Sequence, residues 1–222
     1  MDLSPPIRDG QIDQAYANPR DEVTVLVPSS ARRILDVGSS VGIMGAALKR
    51  RGCDVTGIES SPVLAQEARG RLDRVVEADV ELLAAQGQDP GGPFDCVVMA
   101  DVLEHLRDPW SVTRWAAQLV DDGGSLVISV PNIRHLHLFW AVGVRRRWPY
   151  RAVGIFDRTH LRWFAFGNLE ELLEGTGFHI VELQRSFRLT LEESRINRIA
   201  SKLGDFGTLQ FIFRAERLHG GP

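Results

Sequence analysis

A chain of 222 residues with 44% hydrophobic content is long enough to bury a sizeable core and has the length expected of one domain. Its net charge of -3 offers a polyanion no general attraction, which argues against nucleic acid as a partner. No apolar run reaches the roughly 18 residues that a membrane span needs. The opening MDLSPPIRDGQID also lacks the basic and apolar regions of a secretory leader, so a cytoplasmic protein without stable membrane insertion is expected.

After an irregular start the pattern predicts a short helix over 21–27. Apolar runs at 33–37, 54–58, 74–78, 94–100 and 124–130 then read as strands, with helices near 43–51, 62–71, 80–86 and 109–120 between them. This alternation predicts an α/β fold, a Rossmann-like doubly wound and mostly parallel sheet with helices on both faces. QGQDPGGPF at 86–94 and VDDGG at 120–124 are turn signals that punctuate it. A helix follows around 168–174. The tail, FHIVELQRSF at 178–187 and TLQFIFRAER at 208–217, reads as two strands separated by a short helical piece, making seven strands with an antiparallel last pair at one edge. Between the fifth strand and the 168–174 helix lies a long segment, 132–167, expected to hang over the ligand crevice as a substrate-side insertion. Cys53 and Cys96 show neither metal-ligand spacing nor a disulfide framework and read as two buried thiols.

ILDVGSSVGIMG at 34–45 is an apolar strand that ends in an acid and opens through a Gly/Ser loop into a helix. As a dinucleotide fingerprint it lacks its first glycine, although Glu59 follows at a distance that could grip a ribose, so a nicotinamide oxidoreductase remains an alternative. The surrounding acids discriminate better. Asp36, Glu59, Asp79 and Asp101 each fall at or just past the carboxyl end of one of the first four strands, and no Lys or Arg lies between Asp36 and Lys49. A pyrophosphate would meet this ring unfavourably, whereas a ligand with an ammonium, a sulfonium and two ribose hydroxyls suits it. S-adenosylmethionine has those features. Taken singly, each acid could instead cap a helix.

LDVGSSVG resembles the first motif of class I S-adenosylmethionine-dependent methyltransferases, D-x-G-x-G-x-G, with Ser40 in place of the middle glycine. VTGIESS, VVEADVE and FDCVVMADVLEHLRDPW resemble the second, third and fourth motifs in order. YANPRDEVTVLVP, GSLVISVPNIRHL and GIFDRTHLRWFAFGNLEELLEGTGF extend the similarity, as in small bacterial methyltransferases that accompany glycosyltransferases. The resemblance implies that the cofactor's methionine end lies against the turn of Asp36, Gly38, Ser40 and Gly42. It implies ribose on Glu59 with Ser60 beside it, adenine beside Asp79 and Val80, and the amino group near Ala100 and Asp101.

Methyl transfer needs a base only where the acceptor must lose a proton. His160 and His105 belong to segments expected at the crevice, and Asp157, three residues before His160, could orient its imidazole. Asp101, Glu104 and His105 match a spacing that holds a divalent ion in some quinone-biosynthesis O-methyltransferases; the same letters occur in metal-free relatives, and no metal is expected. MADVLEH lacks the Asn/Asp-Pro-Pro-aromatic stretch of adenine N-methylating enzymes, which favours a hydroxyl acceptor over a nucleobase. HLHLFWAVGV reads as a helix packed on the body, and RRRWPYR as a solvated basic face that could instead touch a membrane surface or phosphates. The expected function is transfer of a methyl group from S-adenosylmethionine to a hydroxyl of a small molecule such as a sugar, glycan precursor or natural product. The rivals are a non-catalytic methyltransferase-like protein and an oxidoreductase; a homodimer is compatible with the sequence.

Overall fold

Each apolar run becomes a strand because its residues alternate between two buried layers. In the computed structural model, which describes residues 7–8, 11–12, 19–187 and 202–217, the strands of the main sheet are β3 (Arg33–Val37), β4 (Asp54–Glu59), β5 (Arg74–Glu77), β6 (Phe94–Ala100), β7 (Val120–Pro131), β8 (Phe178–Ser186) and β9 (Gln210–Arg217). Ahead of them β1 (Ile7–Arg8) and β2 (Gln11–Ile12) pair antiparallel, where no regular structure was expected. The helices are α1 (Asp21–Thr24), α2 (Ile43–Arg50), α3 (Pro62–Arg69), α4 (Val80–Ala85), α5 (Pro109–Gln118), α6 (Leu136–Phe139) and α7 (Phe166–Leu173).

The sheet order is β5-β4-β3-β6-β7-β9-β8, with parallel pairing from β5 to β7 and antiparallel pairing of β9 to both β7 and β8. Ile34, Val55, Cys96, Val98 and Val127 face α1, α2 and α3, whereas Leu35, Val37, Val97, Met99 and Ile128 face α4, α5 and α7. Both cysteines are free and buried. Burying each large aliphatic side chain contributes about 1.5–3 kcal/mol, so these two layers hold the sheet between its helices.

Three local expectations differ. The predicted helix 21–27 keeps only Asp21–Thr24 in α form, because Leu26 and Val27 donate to Val23 and Thr24, closing three-residue turns ahead of Pro28. VDDGG at 120–124 is not a turn outside the sheet: Val120 pairs with Phe94, and the register then slips before Cys96 pairs with Ser125, so the glycines form an irregularity inside β7. The helical piece expected between the last two strands falls largely outside the described residues, whose share of it holds a short 3-10 turn, Gly204–Phe206.

The chain runs outward from β3 through β4 to β5 and returns to β6 on the other side of β3. This reversal opens a crevice beyond the carboxyl ends of β3 and β6. The floor is tight at Gly57, where a Cβ would lie 2.6 Å from both Leu72 Cδ1 and Ser39 Oγ. Gly57→Ala should therefore lower the free energy of unfolding by about 1–3 kcal/mol through overpacking, read by urea titration; an unshifted midpoint would mean that the Ser39 turn yields without cost.

Candidate functional site

The turn after β3 owes its shape to a left-handed residue at every second position. Gly38, Ser40 and Gly42 have φ of 69°, 51° and 79°. Gly38 suits its place because a Cβ there would meet Val102 Cγ2 at 2.6 Å. Ser40 occupies a left-handed conformation in which a non-glycine residue is strained. Its amide donates to Glu59 Oε2 at 2.9 Å, while Ser61 N donates to Glu59 Oε1 at 2.8 Å, so one carboxylate ties the turn after β3 to the turn after β4.

These turns form the floor of a cavity of about 750 Å³. Of the residues singled out in the sequence, Asp36, Gly38, Ser40, Glu59, Ser60, Asp79, Val80, Ala100, Asp101, His105, Asp157 and His160 all line it. Gly42 does not. It sits at the start of α2, where a Cβ would lie 3.3 Å from Ala68 Cα and 3.1 Å from Leu72 Cγ, so the spacing of the motif reflects helix packing at that position.

Asp36 is 1% exposed and its Oδ2 has no hydrogen-bond partner. Burial, reinforced by neighbouring Glu59 and only partly relieved by Arg20, pushes its carboxyl up to about 7. Ser39 Oγ and Ser40 Oγ are likewise buried and unpartnered. Asp79 also carries out the capping role, its Oδ1 accepting from Glu81 N at 2.8 Å. Asp101 is committed elsewhere: it accepts from Arg20 Nη1, from Gln210 Nε2 and, at 2.8 Å, from Ser129 Oγ. Arg20 and Gln210 both line the cavity and were not singled out beforehand. Arg20 lies in the YANPRDEV stretch, but nothing in its spacing ties it to a strand end; Gln210 begins a strand far down the chain.

Opposite the floor, the segment after β7 supplies a second wall. Asp157 does not orient His160. Its Oδ1 accepts from Thr159 N at 2.8 Å and from Thr159 Oγ1 at 2.7 Å, and Thr159 Oγ1 lies 3.0 Å from His105 Nδ1. A threonine hydroxyl has one hydrogen, and here Asp157 takes it, so His105 Nδ1 must be the donor to Thr159 and Nε2 keeps its lone pair. His160 packs edge-on to His105 with ring centroids 4.9 Å apart, its Nδ1 buried and unpartnered. Desolvation holds both imidazoles below their usual range, against the pull of Asp157 in each case. Glu104 is buried nearby with its carboxyl pushed well up by desolvation and by Asp101, and its backbone oxygen accepts from Leu161 N and Arg162 N at 2.7 and 3.0 Å. Glu104, His105 and His160 each present a donor atom within 4.8 Å of the others, so it is His160 and not Asp101 that joins Glu104 and His105.

The chain that builds this acid-floored cavity at the switch point of a doubly wound sheet matches the model of a methyltransferase domain family over residues 11–183. The chain belongs to this methyltransferase family. The methyltransferase is 30% identical over 170 residues, 73% of this chain and 67% of the relative, to a ubiquinone biosynthesis O-methyltransferase of Xylella fastidiosa (strain 9a5c). It is 38% identical over 118 residues to one of Xanthomonas campestris pv. campestris (strain B100), where the match spans about half of each chain, 50% and 48%. In fold it resembles a SAM-dependent methyltransferase from Archaeoglobus fulgidus, with TM-score 0.64, 20% identity, and coverage of 94% and 95% of the two chains. It also resembles magnesium protoporphyrin IX methyltransferase from Synechocystis PCC 6803 with bound SAH, at TM-score 0.64, 18% identity, and coverage of 92% and 84%.

The folded Asp36 carboxyl holds its proton to about pH 7, while an unfolded aspartate releases it near 4. Ionisation of Asp36 therefore favours the unfolded chain in that window, and its contribution to the stability of the ligand-free methyltransferase should fall as pH rises from about 4 to 7, opposite in sign to that of the depressed imidazoles. Asp36 contributes a drop on the order of 4 kcal/mol. Asp36→Asn should remove that share, seen as a shallower pH dependence of urea unfolding; parallel curves for the two proteins would refute it.

Proposed function

We propose that the protein transfers a methyl group from S-adenosylmethionine to a hydroxyl oxygen of a small molecule, a phenolic hydroxyl in the first instance. The fit of the donor rests on the orphaned Asp36 Oδ2, Ser39 Oγ and Ser40 Oγ in a cavity floored by carboxylates. Such a floor favours a ligand carrying positive charge and hydroxyl donors. Asp36 and the turn through Gly38 and Ser40 would hold the methionine portion, Glu59 with Ser60 the ribose, and Asp79 with Val80 the adenine; Ala100 would border the amino group. Arg20, paired with Asp101 on the cavity wall, would offset the donor's carboxylate. Bound there, S-adenosylmethionine supplies an electrophilic methyl group on a sulfonium.

The observation that carries the acceptor class is the Asp157–Thr159–His105 relay. It presets His105 as an Nδ1–H tautomer whose Nε2 can take a hydroxyl proton, and the depressed basicity of the ring keeps it neutral near pH 7. A weakly basic imidazole takes a proton more readily from a phenol, whose pKa is about 10, than from an aliphatic hydroxyl. Residues 132–167 would act as the substrate-side insertion, with Thr159 as a positioning residue and His160 packed edge-on against the His105 ring.

A screen with radiolabelled donor over phenols, sugars and amines tests the assignment: label in phenols supports it, label confined to sugars moves the acceptor to the glycan class, and label confined to amines overturns oxygen transfer. A chelator added to the same assay should leave turnover unchanged; loss restored by a divalent cation would make Glu104, His105 and His160 a metal site instead. Glu59→Ala should weaken S-adenosylhomocysteine binding at least tenfold by calorimetry, since two turn amides and the ribose lose one acceptor. Thr159→Val should leave that affinity intact, lower kcat by about 10–100-fold and displace the acidic limb of the pH–rate profile, below which His105 is protonated and idle. An unmoved limb would remove the relay from the chemistry.

A further inference from the structure

We propose that the outer face of the segment between β7 and α7 is a docking surface for an anionic lipid bilayer. Residues 132–167 carry seven arginines against a single acid, Asp157, in a chain whose net charge is -3. Asp157 is already engaged by Thr159. Among the described residues no ion pair is formed by Arg145, Arg146, Arg147, Arg151 or Arg158. The rest of the molecule therefore carries the negative charge and this face the positive.

The same segment concentrates exposed apolar surface. Of fifteen large hydrophobic side chains exposed among the described residues, nine belong to it, including Phe139 and Val144, each 60% exposed, and Tyr150, 77% exposed. They are held on one body. Leu138 and Ala141 turn inward from α6 and the π-helical turn that continues it (Trp140–Val144) to pack on Phe156, which leaves Phe139, Trp140 and Val144 outward. Trp148 joins the same small cluster and brings Tyr150 and Trp163 beside it, with ring centroids 6.5 and 6.0 Å away. Arg145 stacks over Trp140 at 4.3 Å. Aromatic and aliphatic side chains flanked by unpaired arginines are the composition of a surface that lies in the headgroup region, with rings inserted and guanidinium groups on lipid phosphates. No helix among the described residues is long and apolar enough to cross a membrane, so the contact is peripheral. Charge complementarity selects an anionic bilayer over a neutral one, and the insertable aromatics select a bilayer over a soluble polyanion. The loop from Val153 to Leu161 walls the cavity from the same segment, so a docked molecule would present its cavity next to the lipid surface.

Co-sedimentation with vesicles of phosphatidylglycerol and phosphatidylcholine, against phosphatidylcholine alone, tests this without reference to methyl transfer. The wild-type chain should partition to the anionic vesicles and be released by high salt. Each arginine near such a surface is worth roughly a factor of five, so Arg145→Gln, Arg146→Gln and Arg147→Gln together should weaken partitioning about 100-fold. Phe139→Ser with Val144→Ser should weaken it at least about tenfold, and Leu82→Ser, on an exposed apolar residue of α4, should leave it unchanged. Calorimetry with S-adenosylhomocysteine checks that each variant stays folded and keeps a failure of the donor reading separate. Absence of vesicle binding, equal binding to neutral vesicles, or an arginine variant that binds like wild type would overturn the proposal. So would a Phe139/Val144 variant that changes self-association in sedimentation velocity and not partitioning, since the face would then belong to a second copy.

Discussion

Two carboxylates, Asp36 and Glu59, share one desolvated crevice, and the rest of the site is arranged around that cost. Glu59 meets it by accepting from two turn amides, which converts its charge into the tie between the loops after β3 and β4. Asp36 has no such donor for Oδ2 and holds a proton to about pH 7 instead. A buried acid left partly unsatisfied is a standing preference for a cationic ligand, because the ligand supplies what the protein omits. That preference distinguishes this doubly wound sheet from one that cradles a pyrophosphate, although both use the same switch point and a similar glycine turn.

The opposite wall follows a different logic. There the protein spends hydrogen bonds on direction and leaves charge out: Asp157 aligns Thr159, Thr159 aligns His105, and His160 lies edge-on beside the ring. The cavity thus has a floor of carboxylates and a wall of hydrogen-bonded, edge-packed imidazoles, contributed by different parts of the chain. The floor comes from strand ends, which packing fixes, whereas the wall joins His105, from the turn after β6, to Asp157, Thr159 and His160 of the segment after β7.

Much of the floor was legible in the sequence because strand ends are marked by where apolar runs stop. Asp36, Glu59, Asp79 and Asp101 could be placed at one crevice from that alone, and all four line it. What pattern could not convey was direction. Asp101 turns to Arg20, Ser129 and Gln210, three residues distant in sequence that meet only through the order β3-β6-β7-β9. The pairing of Asp157 was misjudged for a related reason: at i and i+3 Asp157 and His160 look like natural partners, but the intervening Thr159 closes a tighter turn on the carboxylate and passes it to His105, which lies on a separate element. Ser40 was legible as a departure from a glycine pattern, and its φ of 51° gives the physical meaning of that departure. The VDDGG signal was read as a break, and it is a slip within a continuing ladder, because local turn residues do not reveal whether a neighbouring strand pairs on either side of them.

The position of β9 has a consequence for how the protein is made. It is the last described strand, yet it lies between β7 and β8 and delivers Gln210 to the Asp101 cluster. While the polypeptide emerges from a ribosome, every other strand of the sheet is available before this one. The nascent chain can assemble the β5-β4-β3-β6-β7 half early, but the Asp101 corner of the cavity has to wait for Gln210 to emerge. Until then the edge of β7 is open and β8 has no neighbour, a state in which a holding chaperone would find an unpaired strand.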